Sequence, residues 1–196
     1  MVPIVIVPGL GGSEETHWQT HLQRVLPNAT RVEQDNWEKP ELTKWVDELV
    51  HTVKTRPGAV IVAHSLGCPL VAHLAMRRPD LPIAAALLVA PADVDSAERT
   101  PSHIRSFAPV PLRRLPFRSI LVASTNDPYV TIDRAHELAA AWGADFVDAG
   151  PTGHINVESG FGPWIAGQRM ANSLTAWAET RSEKSRNALW ATIAPR

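Results

Sequence analysis

Four short runs of nearly unbroken apolar residues, at positions 2–7, 59–63, 84–90 and 119–124, limit what this chain can become more than any other feature. A strand with one wet face alternates apolar and polar side chains, so a run without alternation must be covered on both sides. Between the runs the spacing turns helical. Over residues 41–54, Leu42, Trp45, Val46, Leu49, Val50 and Val53 share one helical face, and residues 69–78 and 133–142 follow the same pattern. Strands that alternate with helices and are buried on both faces describe an α/β protein, with a mainly parallel sheet and helices on either side. Weaker strands at 30–34 and 145–148 bring that sheet to about six strands.

The 196 residues, 44% of them hydrophobic, suffice for one well-buried core. One domain is expected over residues 1–180. The polar stretch 181–196 is then a tail, or a short docked helix through Ala188, Leu189 and Trp190. Residues 93–117 break the alternation, with Pro101, Pro109, Pro111, Pro116 and four arginines but no sustained period. They predict a long loop with a short helix, either a lid over a ligand or packing on the rim.

Nineteen basic side chains against twenty acidic ones leave a net charge of −1, which offers no field to nucleic acid or an anionic membrane. No apolar stretch approaches the roughly 20 residues that span a bilayer. A lone cysteine, Cys68, and an N-terminus without the marks of a signal peptide point to a cytoplasmic protein. Oligomeric state is left open.

The segment with most chemical content is Val60-Ile61-Val62-Ala63-His64-Ser65-Leu66-Gly67-Cys68, a buried strand that runs straight into a helix through small residues around a serine. This is the pattern of a nucleophile elbow, in which a tight turn lifts the serine hydroxyl above the sheet. It reads Ala-His-Ser-Leu-Gly rather than Gly-x-Ser-x-Gly; alanine is the next smallest residue and keeps the physical basis. The plain alternative is a serine that caps the following helix.

A serine hydroxyl needs a base to take its proton and an acid to orient that base. After an elbow these come in the order Asp or Glu, then His, each on a loop beyond a strand. Asp127 lies in Ser-Thr-Asn-Asp-Pro-Tyr after the 119–124 run, and His154 lies in Gly-Pro-Thr-Gly-His-Ile-Asn after 145–148. Asp148 is the rival acid, and turn formation is the ordinary role of either aspartate. Negative charge that develops on a carbonyl oxygen would be held by two main-chain amides, Leu66 just after the serine and Leu10 in the glycine-rich loop Pro8-Gly9-Leu10-Gly11-Gly12-Ser13. That loop lacks the Lys-Ser or Lys-Thr ending of a phosphate-binding loop. Gly9, His17, Trp18, His64 and Trp164 are the candidate substrate contacts.

Two further groups have competing readings. His17 and His21 share a helical face at metal-ligand spacing, but Trp18 stands where a general-base glutamate would be and no third ligand is near. No metal or other cofactor is expected. Cys68 lies inside the helix beyond the turn, as a small packed residue more than a second nucleophile.

With these motifs, and with His17-Trp18-Gln19 after the glycine loop, the chain resembles the small YdeN-type serine hydrolases, which include the retinoblastoma-binding-protein-nine-like proteins. The resemblance runs over residues 2–178. It implies a compact α/β-hydrolase without a large cap domain, activity on small esters or amides, and Ser65, Asp127 and His154 as the triad. A Leu-x-Cys-x-Glu retinoblastoma motif is not implied, because Leu66-Gly67-Cys68-Pro69-Leu70 ends in leucine. The expectation is cleavage of a small-molecule ester through an acyl-enzyme. The alternatives are amide or peptide cleavage, and a non-catalytic binding protein on the same fold.

Overall fold

The computed structural model describes the backbone of residues 1–193 and the side chains of residues 1–184. Six strands, β1 (Ile4–Val7), β2 (Ala29–Arg31), β3 (Ala59–His64), β4 (Ile83–Val89), β5 (Arg118–Ala123) and β6 (Asp145–Asp148), form one sheet in the order β2-β1-β3-β4-β5-β6. Every neighbouring pair is parallel. Between the strands lie helices α1 (Trp18–Val25), α2 (Leu42–Lys54), α3 (Gly67–Arg77) and α4 (Ile132–Trp142), and α5 (Ile165–Ile193) follows the last strand.

The pleat divides the apolar runs between two cores. Val5, Val7, Ile61, Ala63, Ala86, Leu88, Leu121 and Ala123 face α2, α3 and α4. Ile4, Ile6, Val60, Val62, Ala85, Leu87 and Val89 point the other way, onto Trp18 and Leu22 of α1 and Ala171 and Leu174 of α5. This two-sided cover is why the runs do not alternate. Strand β2 is shorter than its expected span, three residues at the edge of the sheet.

The chain leaves β1 for the edge strand β2 and then crosses back to β3, so the strand order reverses between β1 and β3. In open parallel sheets the crevice beyond the carboxyl ends of such a pair is the place for a ligand. Here those ends carry Pro8-Gly9-Leu10 and His64-Ser65.

Two helices, α1 and α5, lie outside the periodic segments recognised in the sequence. The second is one uninterrupted helix that crosses position 180; the side chains of 185–193 and all of 194–196, on which the docked-or-tail question turns, lie outside the described residues. Residues 93–117 hold a short 3₁₀ helix, Ser102–Phe107, and are fastened to the body rather than free. Ile104, Phe107, Val110 and Leu115 are buried, Arg134 pairs with Asp93 and Asp95, and His73 bonds the Phe107 carbonyl at 2.7 Å. Among the described residues, no helix is long and apolar enough to cross a membrane.

Candidate active site

Ser65 stands at φ 54°, a left-handed conformation that costs a non-glycine residue roughly 1–2 kcal/mol. The turn is held by its own backbone: Ser65 N–H donates to Val89 O at 3.0 Å, and the Ser65 carbonyl accepts from Cys68 N–H at 3.0 Å and Ala92 N–H at 3.3 Å. Two glycines let the loop after β1 lie against it. A Cβ on Gly67 would stand 2.5 Å from Val7 O, and one on Gly9 2.7 Å from Ser65 Cβ. The Leu10 and Leu66 amides flank this contact, and among the described residues neither donates to a carbonyl.

The loop beyond β1 is tied down by Gln19, which is fully buried. Its Nε2 donates to Val7 O at 3.3 Å and Val62 O at 3.1 Å, while its Oε1 accepts from Ser13 Oγ at 2.6 Å. Arg31, on β2, holds the far end through Ser13 O at 2.8 Å.

His154 links the other two groups. Its Nε2 lies 2.9 Å from Ser65 Oγ, and its Nδ1 lies 2.9 and 3.0 Å from the two oxygens of Asp127. The Asp127 carboxylate has no exposed surface, and its Oδ1 also accepts from Tyr129 N–H at 2.8 Å. A carboxylate can only accept, so it puts the imidazole proton on Nδ1 and leaves Nε2 bare toward the serine. Asp148 does not meet His154. It is exposed and closes its own turn by accepting from Gly150 N–H at 2.7 Å.

The His154 loop is fastened by side chains from elsewhere in the chain. Asn126 Oδ1 accepts from Gly153 N–H at 2.7 Å and Ser124 Oγ from Thr152 N–H at 2.9 Å, so the strand loop that carries Asp127 also grips the histidine loop. Ser159 Oγ accepts from His154 N–H at 3.0 Å and packs where a side chain on Gly153 would stand. Two donors take consecutive carbonyls: His64 Nε2 reaches His154 O at 2.9 Å, and Trp18 Nε1 reaches Ile155 O at 2.9 Å. Ile155 sits at φ 50°, unusual for a β-branched residue, and is fully buried. Ser124, Asn126 and Ser159 were not singled out in the sequence, although the first two stand in the same short motif as Asp127.

Three imidazoles form a column beneath the site, with ring centres 4.9 Å apart from His17 to His64 and again from His64 to His154. Burial depresses the pKa of His17 to about 4, with help from Arg31 and His154. Burial, and then its histidine neighbours, also holds His64 well below the ordinary histidine value. Both are therefore neutral at pH 7, and His154 has no permanent cation beside it in the column.

These groups open on a cleft of about 380 Å³ whose lining includes Leu10, His17, His64, Ser65, Leu66 and His154. Ala92, Pro101, Ile104 and Tyr129 supply an apolar side. The short helix of the 93–117 segment thus forms a wall of the cleft. Gly9, Trp18 and Trp164 do not line it, contrary to expectation. Gly9 is spent on close approach to the elbow, and Trp18 lies under the floor, 5.9 Å from the His64 ring and 5.2 Å from the Trp164 ring. Cys68 is buried with its thiol toward Val89 O at 3.4 Å, and burial pushes its pKa well above the ordinary thiol value. As for a metal, His17 has one ring nitrogen committed to capping α1, and no group of three or more metal-binding side chains gathers among the described residues.

A family model described as serine hydrolase matches residues 4–173. Among solved structures, a protein of Pectobacterium atrosepticum named for its likeness to YdeN hydrolases is 32% identical, with 91% of this chain and 92% of that one covered and a TM-score of 0.80. The ydeN gene product of B. subtilis is 21% identical over 90% of this chain and 100% of its own, with a TM-score of 0.77. Est1E of Butyrivibrio proteoclasticus is 14% identical over 89% of both chains, with a TM-score of 0.66. No curated protein matches the chain.

Proposed function

The chain belongs to the serine hydrolase family, in its YdeN-like branch of the α/β-hydrolases, and from that premise we propose that it cleaves small carboxylic esters through an acyl-enzyme. The observation that carries the reading is His154, bonded on one ring nitrogen to Ser65 Oγ at 2.9 Å and on the other to a buried carboxylate.

In this mechanism His154 Nε2 takes the Ser65 proton as Oγ attacks the carbonyl carbon. Asp127 keeps the imidazole in the required tautomer and stabilises the imidazolium that forms. Charge on the carbonyl oxygen is met by the Leu10 and Leu66 amides, which have no competing acceptor among the described residues; one such donor is worth about 3 kcal/mol of barrier. The imidazolium then protonates the departing alcohol, and water repeats the sequence to release the acid. The apolar side formed by Ala92, Pro101 and Ile104 suits a short acyl chain, and the cleft volume is at the small end for ligand sites.

Ser65→Ala should abolish hydrolysis of p-nitrophenyl butyrate and labelling by a fluorophosphonate, with an unchanged circular dichroism spectrum. Full activity in that variant would sink the mechanism.

A further inference from the structure

His17 is held by the helix it caps. Gln19 N–H donates to its Nδ1 at 3.1 Å. A main-chain amide only donates, so Nδ1 is bare and the single ring proton sits on Nε2. The residue is 3% exposed, yet it lines the cleft. Among the described residues nothing accepts from Nε2. That N–H is not sealed from solvent, and a substrate that shuts water out of the cleft has to supply an acceptor or leave it unpaired.

The kind of acceptor follows from the surroundings. The oxygen of the scissile carbonyl is assigned to Leu10 and Leu66. Among the described residues the lining includes Glu14 and Glu158 and neither lysine nor arginine, which disfavours a carboxylate or phosphate there. With a pKa of about 4, the ring stays a neutral donor at pH 7. A neutral donor beside two carboxylates selects an uncharged oxygen.

We propose that His17 is a specificity-determining residue whose Nε2–H binds an ether or hydroxyl oxygen carried by the substrate near its scissile bond, so that oxygen-bearing esters are preferred over plain alkyl ones. This rests on the ester-hydrolase reading. A donor that finds its partner in one substrate and is left dry by its isostere discriminates strongly between the two.

The test measures kcat/KM for two isosteric pairs. On the alcohol side these are the 2-methoxyethyl and butyl esters of butyric acid; on the acyl side, p-nitrophenyl 3-methoxypropanoate and p-nitrophenyl pentanoate. His17→Asn keeps a cap acceptor for Gln19 N–H and removes the long-reaching ring donor. Intrinsic reactivity cancels between the two proteins. The wild type should favour the ether member of one pair about tenfold more than His17→Asn does, and that pair identifies the side of the cleft that His17 serves. Equal ratios in wild type and variant for both pairs overturn the proposal. If the variant loses all turnover, the wild-type ratios against alkaline hydrolysis of the same esters decide, and a match overturns it. No turnover of any ester and no fluorophosphonate label on Ser65 would instead bring down the hydrolase reading itself.

Discussion

Ser65 is held from within its own backbone, whereas His154 is held from a distance. The elbow owes its shape to carbonyls and amides of adjoining strands and to two positions where only glycine leaves room. The histidine loop owes its shape to side chains of Ser124, Asn126, Ser159, His64 and Trp18, which all spend hydrogen bonds on its amides and carbonyls. The two regions meet at one 2.9 Å bond between Ser65 and His154. A site built this way can lose the placement of its histidine without losing its fold, but cannot lose its elbow so cheaply.

The largest effect is expected on the distant side. In Asp127→Asn the retained Oδ1 can still accept from Tyr129 N–H, which turns the amide nitrogen toward His154. The imidazole then has to carry its proton on Nε2, the wrong tautomer. A fall in kcat of about 10⁴-fold with an unchanged melting temperature is the expected result of steady-state kinetics and calorimetry. At the elbow, Gly67→Ala brings a methyl group against the Val7 and Pro8 carbonyls, backbone atoms that cannot swing away. Here activity and stability should fall together, by more than a hundredfold in kcat/KM and about 3 kcal/mol in urea unfolding. If Gly67→Ala melted like the wild type, the contrast between the two regions would be lost.

The histidine column gives a pH signature. In the unfolded chain His17 and His64 protonate near 6.5, whereas the folded protein keeps both neutral well below that, His17 down to about 4. Between those values the unfolded state binds more protons, so stability is full above pH 6.5 and is lost as the pH falls toward 4. Each histidine contributes a slope of up to roughly 1.4 kcal/mol per pH unit. Urea midpoints taken from pH 7 to 4.5 should show that loss, and His64→Phe should remove the His64 share of it while the His17 share persists. The same variant leaves the His154 carbonyl without its donor, so kcat should drop about tenfold at pH 7.

The difference between the regions also explains what could be read from the sequence. The elbow is local: a β-branched run, a small residue, a serine and a glycine within one short segment. Asp127 and His154 were legible through turn residues and strand order. The groups that hold His154 were not, because His64 and Trp18 reach carbonyls 90 and 137 residues away along the chain. Helix α5 escaped for a related reason. Its buried face is built from Ala171, Leu174 and Ala178, and small residues give a weak apolar period. The 93–117 segment could not be placed from composition because the apolar residues it buries, Ile104, Phe107, Val110 and Leu115, keep no period, and its polar anchors are scattered over α3 and α4, at His73, Arg134 and Trp142.

The smallest effect expected is also the one that best separates distant support from packing. Trp18→Phe keeps an aromatic ring near His64 and Trp164 but removes the Nε1 donor to Ile155 O together with part of the buried indole volume. One buried hydrogen bond is worth about 1 kcal/mol and the cavity adds a similar amount, so stability should fall by about 2 kcal/mol and kcat by only a few-fold. His64 and Trp18 hold neighbouring carbonyls of one strained loop, and either alone can keep its place. Their losses should therefore not add: the double variant His64→Phe, Trp18→Phe should lose more in kcat than the product of the single losses. Strict additivity in that cycle would mean that each donor satisfies only its own carbonyl, and that the loop is positioned by Asn126, Ser124 and Ser159 instead.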